Sequence, residues 1–132
     1  MRSEVLTYDT SSADFLDITA DVEKLVGGGN GLVNVFAPHA TAGIALMETG
    51  SGSEADLADV IERLLPRDDR YRHSHGSKGH GADHLLPAFI APSVTLPVID
   101  GRVALGTWQS IVLVDTNRDN PERKVRVSFL EG

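Results

Sequence analysis

At 132 residues the chain has the length of one domain, 1–132, long enough to bury a core without disulfides or structural metals. It contains no cysteine, which excludes disulfide frameworks, thiolate zinc sites and cysteine nucleophiles together. Nineteen acidic residues against twelve basic ones give a formal net charge of −7, which argues against nucleic-acid partners, because such binding relies on Lys and Arg neutralising phosphates.

The first residues, Met1 to Thr7, lack an apolar core of signal-peptide length, and no stretch approaches the ~18 consecutive apolar residues of a membrane span. A soluble, cytoplasmic protein with no membrane partner is therefore expected. Asp14 to Ile18 reads as a short strand. Thr19 is placed to cap a short helix, Ala20 to Val26, which the Gly27-Gly28-Gly29 run would stop. Gly31 to Phe36 is the next strand; Pro38 interrupts it, and the apolar run Gly43 to Met47 follows. The spacing of Leu57, Ile61, Leu64 and Leu65 predicts a helix over about 53–65 with one buried stripe. Ser53 and Asp56 match a capping box, and Pro66 prevents continuation.

Residues 66–82 are polar and glycine-containing and read as a long loop, a length that is usually functional or disordered in a compact domain. A helical turn near Asp83 to Phe89 then leads into a strand from Ser93 to Val98, and Asp100-Gly101 supplies turn chemistry. Val103 to Leu105 and Ser110 to Val114 are further strands, the second apolar enough to be buried on both faces. Lys124 to Phe129 alternates strictly, as a strand with one wet face does. Arg118, Arg123, Lys124 and Arg126 gather here, as a solvated strand face or a local anion site. Strands without regular helical crossovers imply an α+β fold, a mostly antiparallel sheet or sandwich with two main helices.

Chemistry concentrates in histidine, the commonest metal ligand and the best proton exchanger near neutral pH. Four of the five histidines, His73, His75, His80 and His84, lie within twelve residues. His80 and His84 stand four apart, which on a helix would share a face, but Gly79 and Gly81 flank His80 and argue against a helix through it. On that ground His84 is a stronger candidate than His80, while His73 and His75, two apart, would point the same way on an extended backbone and could share a metal. His39 stands alone after Pro38, nine residues before Glu48, and such a pair could orient each other or share a metal. The single tryptophan, Trp108, lies in Gly106-Thr107-Trp108-Gln109, either a pocket wall with an orienting amide or a core anchor. Asp115 ends a buried strand, where a sheet presents polar groups to a site or a turn is capped. The nucleotide-binding glycine loop, the phosphate loop and the serine nucleophile elbow are all missing from the sequence.

Taken in order, these segments resemble the YjbQ family of small bacterial and archaeal proteins. The resemblance runs through Phe15-Leu-Asp-Ile-Thr19, Pro38-His39-Ala-Thr-Ala-Gly43, Tyr71-Arg72-His73, Asp83-His84-Leu85, Pro92 to Pro97, Leu105-Gly-Thr-Trp-Gln109 and the final Val-Arg-Val strand. It implies a trimer with sites near subunit interfaces, and a weak thiamin-phosphate synthase activity joining a thiazole phosphate to a pyrimidine pyrophosphate. Site positions carried over fall on His39, Glu48, His73, His84, Trp108 and Gln109. Where the family has Asn-Glu-Asn, this chain reads Met47-Glu48-Thr49, so the carboxylate remains without its flanking amides.

The resulting expectation is an enzyme in which His39, His73 and His84 hold a divalent metal (Zn or Mg) or a phosphate group. His39 and Glu48 would act as acid/base groups, and Thr107, Trp108 and Gln109 would bind a small phosphorylated metabolite. The alternative is a non-catalytic module binding a metal or phosphometabolite at the same pocket.

Overall fold

The computed structural model describes residues 1–73 and 76–132. Its elements, in chain order, are β1 (Arg2–Asp9), β2 (Phe15–Asp17), α1 (Thr19–Leu25), β3 (Gly31–Phe36), β4 (Gly43–Met47), α2 (Ser53–Leu64), α3 (His80–Phe89), β5 (Ser93–Ile99), β6 (Arg102–Val103), β7 (Ser110–Val114) and β8 (Glu122–Glu131). The strands form one five-stranded sheet, in the order β1-β8-β3-β5-β6, and one three-stranded sheet, β2-β7-β4. Every pairing is antiparallel, so the α+β reading with an antiparallel sandwich holds.

Strand β7 explains the layering. Side chains alternate across a strand, and from Ile111 to Val114 of β7 both sets are apolar and buried. Ile111 and Leu113 join Val33, Val35, Val125, Val127 and Phe129 of the large sheet in the main core. Val112 and Val114 face the other way, onto Leu65, Ala82 and Leu86 at α2 and α3. The small sheet is thus a middle layer, with the large sheet on one side and the two longer helices on the other. Burying each such side chain is worth roughly 1.5–3 kcal/mol, so this one strand ties three layers together. Among the described residues no helix is long and apolar enough to cross a membrane.

One strand is added to the sequence-based expectations and three of them are corrected. The strand β1, absent from the sequence reading, pairs with β8 over eight residues, its inward side carrying only Leu6 and Tyr8 against the core. The capping box at α2 does not form: Gly52, at φ 100, occupies the cap position, and Glu54 instead accepts the Gly50 amide. The stripe on α2 is shallower than expected, with Leu64 51 % exposed, because the helix lies on the outer layer. The supposed turn near 83–89 is a full ten-residue third helix beginning at His80.

Candidate metal centre

The start of α3 decides the site. Gly79 adopts a left-handed conformation, φ 87, which only glycine takes freely, and so can cap the helix where its neighbours could not. Gly81 lies inside the first turn, and a Cβ there would fall 2.5 Å from Tyr71 Cβ and 2.8 Å from the His73 carbonyl oxygen. The two glycines that argued against a helix therefore permit this one to start and let the segment of Tyr71 and His73 pack against it. That segment is pinned at its base, where Tyr71 Oη donates to the Pro66 carbonyl at 2.6 Å.

Helix α3 places His80 and His84 on one face, and the packed loop delivers His73 beside them. The three rings lie with centroids 4.2 to 4.9 Å apart, and one ring nitrogen from each falls within 4.8 Å of the others. Tetrahedral zinc at ~2.0–2.1 Å from each nitrogen needs donors about 3.4 Å apart, so modest ring rotations would complete a three-imidazole set. Imidazole nitrogens suit Zn²⁺, whereas Mg²⁺ prefers oxygen ligands and keeps its waters. His80 Nδ1 contacts Asp119 Oδ2 at 3.0 Å. Hydrogen bonds from Ser77 and from His80 hold the Asp119 carboxyl below its usual range. A cleft of about 410 Å³ opens beside His73 and His80, with Asp69, Tyr71 and Lys78 also on its walls.

Behind the histidines runs a buried polar chain. Asp83, one helical turn from His80, accepts from Arg67 at 2.5 and 3.2 Å, Thr116 at 2.8 Å and Asn117 at 2.9 Å. Arg67 also donates to the Lys78 carbonyl, so it clamps the helix start as well. The Asn117 amide donates to Asp115 at 2.9 Å. Asp115 in turn accepts from Thr10 at 2.6 Å and from Arg123 at 2.7 and 3.0 Å, and Arg123 reaches Thr41 at 2.6 Å. Asp115 is therefore a structural carboxylate, and Arg123 is buried against it rather than offered to an anion. Arg118 pairs with Asp14, leaving Lys124 and Arg126 on the exposed strand face.

The sequence-predicted residues divide into separate places within the chain. His73 and His84 meet as expected. The third member is His80, against the expectation from its flanking glycines, and not His39. His39 Nε2 already accepts the Lys124 amide at 2.9 Å, and burial, with the Arg123 charge next, pushes its pKa below 6.5. His75 lies outside the described residues. Glu48 follows β4, whose last residue Met47 pairs with Ser110 at the start of β7, while Asp115 and the histidine group adjoin the other end. Four residue steps along β7 separate the two ends, about 13 Å. Thr107, Trp108 and Gln109 are exposed and lead into Ser110, at the same end of the small sheet as Glu48, with Trp108 at 73 %. The Gln109 side chain closes its own turn by accepting the Gly106 amide at 2.8 Å. Thr49 supplies a hydroxyl to Asp17 at 3.1 Å, so the altered flank of Glu48 still makes a polar contact.

Sequence reasoning missed Arg67, Thr116, Asn117 and Asp119. The available signal was the polar run 115–120 directly after a strand buried on both faces, where a sheet hands its end to a site.

Comparison with known proteins agrees with this fold. The family model described as "UPF0047 protein YjbQ-like" matches residues 4–132. The UPF0047 protein Rv2556c of Mycobacterium tuberculosis is 62 % identical, with the whole of both chains covered. Among solved structures, the hypothetical protein APE1520 of Aeropyrum pernix K1 superposes with a TM-score of 0.89 at 32 % identity, covering 100 % of both chains. A YbjQ-like protein of unknown function, SSO2532 of Sulfolobus solfataricus P2, gives 0.85 at 29 % identity, over 99 % of this chain and 100 % of that one.

Proposed function

We propose that this chain, which belongs to the YjbQ-like UPF0047 family, binds a divalent transition metal between His73, His80 and His84 and acts there on a small phosphorylated metabolite. The observation that carries the reading is the convergence of three imidazole nitrogens within 4.8 Å, two of the three residues also lining a polar cleft. Three protein ligands with a further position open is the arrangement of catalytic rather than structural zinc. A bound metal would supply positive charge to a phosphate or departing pyrophosphate oxygen. The chain's own contribution is to place ligands and substrate: Asp119 holds His80, the Asp83 cluster holds α3, and Lys78 offers a cation in the cleft.

The reaction to assay is the thiamin-phosphate synthase one, in which a thiazole phosphate joins a pyrimidine pyrophosphate and pyrophosphate leaves. In this reading Glu48, His39 and the Thr107–Gln109 turn belong to the same site only through a trimer, where the Glu48 end of one copy would face the histidine end of another. A second reading, a non-catalytic metal or phosphometabolite module, is favoured by one observation: within the chain, Glu48 stands a strand's length from the three histidines.

The test is elemental analysis of the purified protein beside His84→Ala, followed by incubation with both synthase substrates. Zinc near one atom per chain, lost in the variant, together with metal-dependent pyrophosphate release supports the enzyme. Metal and ligand-induced stabilisation without product over hours supports the binding module. No metal at either protein, even after incubation with zinc, removes the site.

A further inference from the structure

Asp119 belongs to the turn between β7 and β8, yet its carboxylate reaches the first residue of α3. Its Oδ2 meets His80 Nδ1 at 3.0 Å and also accepts the Ser77 amide at 3.4 Å. An ionised carboxylate only accepts, so Nδ1 must be the donor and carry the proton. The lone pair of a neutral His80 then resides on Nε2, which is buried. Ligating histidines are commonly set this way, with the second nitrogen held by a carboxylate that fixes tautomer and ring angle.

The Asp119 side chain is exposed, but the backbone that carries it is anchored. The Asp119 amide donates to Asn117 Oδ1 at 3.0 Å. Asn117 is 2 % exposed and is itself held between Asp83 and Asp115. Asp83 is on the same helix as His80 and His84, so the group that aims the ring and the helix that carries it share one buried anchor. A surface pair lacking such an anchor would lose its geometry to side-chain motion.

We infer that Asp119 is a positioning residue of the histidine centre, holding the His80 ring so that Nε2 is its ligating atom. The inference rests on the proposed metal centre, and its test separates the two. Zinc affinity is measured by chelator competition for the parent, Asp119→Ala, Asp119→Asn and His84→Ala. The Co²⁺ visible spectrum and the melting temperature without metal are recorded for each. Imidazole ¹⁵N shifts in the metal-free parent and Asp119→Ala report the His80 tautomer.

The expected result is a parent that binds, His84→Ala that does not, and Asp119→Ala weakened about 10- to 100-fold. Its Co²⁺ spectrum should change and its metal-free melting temperature should not. Asp119→Asn, whose amide oxygen still accepts from Nδ1, should recover most of the lost affinity, and only Asp119→Ala should lose the Nδ1–H form of His80. Parental affinity in Asp119→Ala overturns the positioning role while leaving the centre standing. A melting temperature that falls together with affinity also overturns it, in favour of a structural role. A parent that binds no zinc overturns the centre and this inference together.

Discussion

The Asn117 side-chain amide donates to Asp83 Oδ2 at 2.9 Å, which ties the β7–β8 turn to the helix bearing two of the three clustered histidines. Asp83 is 1 % exposed, and its two oxygens also receive Arg67 and Thr116. Removing one member of a buried ion pair costs about 3–5 kcal/mol. The Arg67 side chain keeps 32 % of its surface exposed and can rehydrate, so Asp83→Ala should lose about 3 kcal/mol. Urea unfolding of the metal-free protein measures this. A loss under about 1 kcal/mol would mean that the cluster does not hold α3.

Zinc should stabilise the folded chain, because the three imidazoles converge only when the segment bearing Tyr71 and His73 packs on α3. A ligand at one hundred times its Kd adds about 2.7 kcal/mol. For a domain of this size that is on the order of 10 °C in melting temperature. Thermal scans with added zinc and with EDTA should show the shift in the parent and not in His84→Ala. Equal shifts in both proteins would place the zinc elsewhere.

The fold was readable where one physical rule dominated. The apolar run 111–114 demanded burial on both faces, and the three-layer core follows from it. Strand β1 escaped notice because its core side is thin, and partner β8 rather than its own pattern makes it a strand. For the site, clustering marks the segment, but it takes the family resemblance to single out His73, and helix propensity argues against His80. That rule fails here because Gly79 is a cap and Gly81 a packing position, and neither role is visible without the loop that lies against them. Asp119 and Asn117 act across 39 and 34 residues of sequence, a separation that no local pattern reports.

Trp108 offers a test of the other end of the small sheet. Its side chain is 73 % exposed, so Trp108→Ala should change stability by less than about 0.5 kcal/mol. If the 107–109 turn binds the phosphorylated ligand, the same variant should lose the ligand's thermal shift while keeping zinc. A variant with unchanged ligand response removes Trp108 from the site.

His39 should make stability depend on pH in a definite direction. Burial and the neighbouring Arg123 lower its folded pKa below 6.5, so between the two values the unfolded chain binds more protons. Stability therefore rises with pH through that window and levels off above about pH 6.5. As pH falls through the folded pKa, the loss becomes complete. Asn at this position could still accept the Lys124 amide without titrating, so the stability difference between parent and His39→Asn should slope as pH falls below about 6.5 and flatten above. The clustered histidines are common to both proteins and cancel in that difference. A difference that stays flat from pH 5 to 7.5 would show that His39 is not desolvated in the folded state.

Gly81→Ala inverts an ordinary expectation and links the helix to the metal. In an exposed helix interior, Ala is favoured over Gly by about 1 kcal/mol. Here the new methyl would sit 2.5 Å from Tyr71 Cβ and 2.8 Å from the His73 carbonyl. Neither neighbour is the far end of a flexible side chain, so the loop must move off the helix. Overpacking of this kind typically costs 1–3 kcal/mol, which outweighs the propensity gain. Because the displaced segment carries His73, zinc affinity should fall with stability in Gly81→Ala. In His73→Ala, by contrast, affinity should fall while the metal-free melting temperature stays close to the parent's. Chelator competition and thermal melting on the two variants separate these effects. A Gly81→Ala protein more stable than the parent, with its affinity unchanged, would show that the loop does not pack on α3 as described.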